Sequence, residues 1–73
     1  MSTTKEILNF IIKEKARGNT FQELNTQMKI MMKGVNVKGI LEEIIPDDPV
    51  LNAKLKEIAK EFDVDMSKMI EVS

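Results

Sequence analysis

Apolar side chains recur along this chain in short blocks at helical spacing, each opened by a polar cap and closed by glycine, proline or aspartate. Thr3 with Glu6 fits a capping box, in which hydroxyl and carboxylate satisfy each other's backbone N–H groups. Ile7, Leu8, Ile11 and Ile12 follow as one apolar stripe, widened by Phe10, and Gly18 is a natural left-handed stop. Thr20 with Glu23 repeats the box. Behind it Phe21, Leu24, Met28 and Met31 fall about a turn apart, Ile30 and Met32 flank that seam, and Gly34 ends the block.

A short third helix is predicted from Asn36, its cap, through the apolar face of Ile40, Leu41, Ile44 and Ile45, with Pro46 forcing an end near Ile45. Val35, Val37 and Gly39 leave a strand as the competing reading there, although nothing else in the chain alternates and an isolated strand needs partners. Asp48 before Pro49 starts a fourth helix, since aspartate accepts at the cap and proline at the first turn wastes no donor. Leu51, Leu55, Ile58, Ala59 and Phe62 define its buried face. Asp63 stands where a left-handed glycine is usual, and Asp65 caps a last short helix holding Met66, Met69 and Ile70. Val35 to Glu42 and Val64 to Glu71 match in type at nearly every place, so one tight corner is used twice.

Length and composition fit that picture. The 73 residues form one domain, 1–73, near the lower size at which a single core suffices, so a partner chain would add useful burial. With 42% hydrophobic and 32% charged residues the chain is too apolar to be disordered. Cysteine is absent, which excludes a disulfide framework and thiolate chemistry. The N-terminal residues show no signal-peptide pattern, and no run approaches the roughly 18 apolar residues of a membrane span, so the expected location is cytoplasmic.

The net charge of −1 hides an asymmetry. Residues 1–41 carry seven basic side chains against three acids, whereas residues 42–73 carry four against nine. Such a division is an unevenly sampled solvated surface, a basic face for an acidic partner, or a complementary pair of faces that favours self-association.

Leu55 to Ser73 resembles a helix-turn-helix. Ala59, Asp63, Val64, Met69 and Val72 occupy the small, turn, pin and core places of that motif, with Ile58 and Phe62 beside them. The resemblance implies a DNA-reading second helix, but that helix would display only Ser67, Lys68 and Glu71, next to Asp63 and Asp65. Acidic side chains there oppose phosphate contact. Val64 to Ile70 is also similar to the small domains by which acyltransferase cores hold their partner enzymes, although the glycine-rich loop of those domains has no counterpart.

Reactive chemistry is scarce. Without His or Cys only hard cations could bind, and the Asp63, Asp65, Ser67 spacing of a calcium loop fails at Lys68, where glycine is required. No proton shuttle active near neutral pH, nucleophile elbow or phosphate-cradling loop is present, and chains this small seldom enclose a substrate pocket. No catalytic residue, metal or cofactor is implied.

The resulting expectation is an all-α, compact orthogonal bundle of four to five short helices with a helix-turn-helix-like C-terminal corner. Its core is expected from Ile7, Leu8, Ile11, Phe21, Leu24, Met28, Ile40, Leu41, Leu51, Leu55, Ile58, Phe62, Val64 and Met69, with Met31 on the same seam as Met28. The expected function is non-catalytic protein–protein binding, as a small regulator, adaptor or assembly partner. Its contact residues would be Met32 and Met69, lining a groove for a partner helix, and the basic helix ends Lys13, Lys15, Arg17, Lys29 and Lys33. The partner is a protein, a second copy of the chain included. The alternative is a dimeric nucleic-acid-binding regulator of helix-turn-helix type, which the acidic C-terminal half disfavours.

Overall fold

The computed structural model describes residues 3–69. It contains four α-helices, α1 (Thr3–Ala16), α2 (Thr20–Met32), α3 (Val37–Leu41) and α4 (Pro49–Glu61), and then one 3-10 turn, Met66–Lys68. No strand occurs among the described residues, so α3 resolves the strand alternative in favour of helix. The fold is all-α. Its radius of gyration of 11.2 Å is that of a compact globule of this length.

The first helix is the hub. Thr4, Ile7, Leu8, Ile11, Ile12 and Ala16 are all buried, a face wide enough for α1 to pack against α2, α3 and α4 at once. Ile30, Val35, Val37, Ile40, Leu55, Ile58, Ala59 and Val64 complete the core around it. Leu41, Leu51, Phe62 and Met69 are only partly buried at its edge. Thr4 is a buried polar group and therefore needs partners. Its hydroxyl donates to Asn52 Oδ1 at 2.5 Å and accepts from the Asp48 N–H at 3.2 Å, while its own N–H donates to Asp47 Oδ1 at 3.2 Å. This latch ties the start of α1 to the start of α4 and satisfies one of the donors that a helix N-terminus leaves open.

Local capping follows the sequence at three helix starts. The side chains of Asn36, Asp48 and Asp65 accept from the N–H groups of Gly39, Val50 and Ser67. Two other starts are displaced. Asn19, not Thr20, caps α2, its Oδ1 accepting from the Phe21 and Gln22 N–H groups at 3.0 and 3.3 Å, because an Asx side chain reaches two N–H groups that Thr20, already helical, does not. Thr3 is likewise a helical residue of α1 rather than its cap.

Helix α3 stops at Leu41, four residues before the end expected near Ile45. Glu43 adopts a left-handed φ of 59°, its N–H donates to Ile40 O at 3.0 Å, and the Ile44 N–H donates to Gly39 O at 2.9 Å. Those two bonds form a Schellman closure without glycine, so Pro46 has nothing left to terminate. Ile44 is left exposed instead of completing an apolar face.

Asp63, with φ 58°, closes α4 in the same way, the Val64 N–H donating to Ala59 O at 2.8 Å. The sequence echo is therefore structural. Gly34–Val35–Asn36 and Asp63–Val64–Asp65 each supply a left-handed residue, a buried valine and a capping side chain. After the second corner the chain makes only the 3-10 turn, with Met69 following it; Ile70, Glu71 and Val72 lie outside the described residues. Among the described residues the corner is a turn without the second α-helix of a helix-turn-helix.

Candidate functional site

Helix α2 faces the opposite way from its expected orientation. Phe21, Leu24 and Met28, expected in the core, and Met31 and Met32 with them, are between 53% and 85% exposed. The side turned inward carries the buried Thr26 and Ile30. At 3.6 residues per turn the five outer side chains fall within an arc of about 100°, roughly opposite Ile30. The physical reason lies in the neighbours. Thr26 is small and satisfies its own hydroxyl by donating to Gln22 O at 2.8 Å, so α2 approaches α1 closely, and the core is filled by Ile30 together with Val35 just beyond the helix. Phe21 and Leu24 were missed as surface residues because a docking face and a core face share one pattern. The available signal was Ile30, alone on the other side of the seam and next to the Gly34–Val35 corner.

Met32 belongs to this outer face, whereas Met69 packs against the core, so the two methionines lie in different surroundings. Two other large apolar residues, Ile44 and Val50, are exposed outside α2.

The basic residues divide into two groups. Lys15, from the end of α1, and Lys33, the residue that caps α2, converge on Phe62 at the end of α4. The Lys15 ammonium donates to Phe62 O at 3.2 Å and lies 5.8 Å from the ring centroid. Lys33 pairs with Glu61 at 3.1 Å and lies 6.0 Å from the same ring. Both cations thus supply charge where the carbonyls of α4 point outward, worth about 0.3–1 kcal/mol each. Lys13, Arg17 and Lys29 are exposed.

Beside Phe62 opens a cleft of about 510 Å³. Its rim alternates Lys15, Arg17 and Lys68 with Glu14, Asp63 and Asp65, so it presents no excess of either sign. The Ser67 hydroxyl and N–H, both donating to Asp65, hold that carboxyl below its ordinary range, with a smaller contribution from Lys68. Among the described residues no group of three or more acidic side chains is placed to hold a metal ion, and no helix is long and apolar enough to cross a membrane. Comparison with protein-family models, with curated proteins and with solved structures returns no match.

Proposed function

We propose that the chain is a non-catalytic protein-binding module whose contact surface is the outer face of α2. The observation that carries this reading is the exposed face of Phe21, Leu24, Met28, Met31 and Met32 on one helix of a domain whose core is built from other residues. Taking roughly 200 Å² for each fully exposed large side chain, the face offers about 650 Å², at or above the largest apolar patch of an ordinary monomer. Methionine suits such a surface because its unbranched, polarizable side chain adapts to the shape it meets. Lys29 stands on the flank as a basic rim.

The alternative, nucleic-acid binding through the basic helix ends, has less support, because Lys15 and Lys33 are engaged with Phe62 and Glu61. Site-specific photo-crosslinking in the native host tests the proposal. A photoreactive residue at Met28 is expected to form protein adducts that the same residue at Ile44 does not. Equal adducts from both positions, or none from Met28, would refute it.

A further inference from the structure

We infer that the occupant of the α2 face is a second copy of this chain, packed antiparallel about a twofold axis. The inference rests on the docking surface proposed above and names its partner. Phe21, Leu24, Met28 and Met31 are separated by three, four and three residues, the spacing of a knobs-into-holes seam. That series reads the same in both directions. A twofold axis at the level of Thr26 therefore sets Phe21 against Met31 of the second copy, and Leu24 against its Met28. A rigid ring then meets a flexible thioether at each end, a contact that sulfur and aromatic groups favour.

Self-pairing also needs a face that does not repel itself. The residues bordering the seam, Thr20, Asn25 and Gln27, are uncharged. Lys29 sits farther out, and in this register the two copies keep their Lys29 residues about 9 Å apart along the axis, where salt screens them. Two faces of about 650 Å² offer at most about 1,300 Å² together, so near-complete burial reaches the lower end of the range of about 1,200–2,000 Å² found for specific interfaces. A domain of this size also gains from the added burial.

Sedimentation equilibrium over about 1 µM to about 1 mM tests this, with association expected in the micromolar range. The mass should rise from 8.3 kDa towards twice that value. Leu24→Glu and Met32→Glu should each weaken association, the first by at least about 100-fold because it buries an unpaired charge, while Val50→Glu should leave it unchanged. All three should keep wild-type helicity, since each position is exposed. The chain has no cysteine, so engineered thiols report the register cleanly. Mixing Phe21→Cys with Met31→Cys should give the mixed disulfide in preference to the Phe21→Cys pair. A mass of 8.3 kDa at the highest concentration, or preference for the Phe21→Cys pair, overturns the inference. Foreign adducts at Met28 from a monomeric chain would overturn the self-partner and leave the docking surface standing. Dimerisation that ignores Leu24→Glu, with no adduct at Met28, would sink both.

Discussion

Replacing Ile30 and Phe21 by alanine, one at a time, probes which side of α2 supports the fold. Ile30 is fully buried in the core, so Ile30→Ala leaves a cavity and is expected to cost about 3 kcal/mol, within the usual 2–5 kcal/mol for such truncations. That is a large share of the roughly 4–11 kcal/mol expected for a domain of this length. Phe21 is 73% exposed, so only about a quarter of its surface is covered. At about 25 cal/mol per Å², losing that cover costs about 1.4 kcal/mol. Alanine's better helix propensity returns roughly half of this. The periodicity of the sequence, with Phe21 in the core, would instead demand about 3–5 kcal/mol for Phe21→Ala. Tryptophan and tyrosine are absent, so urea unfolding is best followed by far-ultraviolet circular dichroism, in dilute protein to keep any self-association out of the result. A loss of about 3 kcal/mol for Phe21→Ala, or under about 1 kcal/mol for Ile30→Ala, would refute the orientation of α2.

Three further outcomes are expected. Thr4→Val keeps the shape but strands the Asn52 carbonyl oxygen and the Asp48 N–H, and should lower stability by about 1–3 kcal/mol in the same urea assay; no change would dissolve the latch. Glu43→Gly relieves a left-handed glutamate at the cost of a long, exposed contact to Lys5, and calorimetry should show a raised melting temperature, corresponding to about 0.5–1 kcal/mol. Asp65 has a folded pKa below its unfolded value of 3.8, so its stabilisation is complete above that value and fades as the pH falls through the folded one. An NMR titration of the Asp65 carboxyl and the Ser67 amide should therefore turn over below 3.8; a midpoint at or above it would contradict the two hydrogen bonds from Ser67.

What could be read from the sequence was local. Asn36, Asp48 and Asp65 reach N–H groups two or three residues away, so residue type and spacing reveal them without the rest of the fold. Asp63 was readable for the same reason. Glu43 was not, because glutamate carries no turn signature, and the closure depends on Gly39 O receiving the Ile44 N–H. Gly39 itself has a packing reason, since a Cβ there would come within 2.8 Å of both Asn36 and Ile45 side chains. The Thr4 latch joins residues more than forty positions apart, beyond any window of pattern. The orientation of α2 was hidden for a different reason. Periodicity tells which side chains share a face but not which face finds the core. Phe21, Leu24, Met28 and Met31 would look the same in either place, and only the packing of Thr26 and Ile30 decides.

That packing leaves α2 with few buried side chains. Two buried side chains, Thr26 and Ile30, hold thirteen residues to the domain, where α1 has six. With so little buried apolar surface to lose, α2 is expected to open at a lower free energy than global unfolding, so its amides should exchange with solvent sooner than those of α1. An occupant of the outer face would then be detectable from within, as slowed deuterium uptake along the inner side of the helix that it never touches.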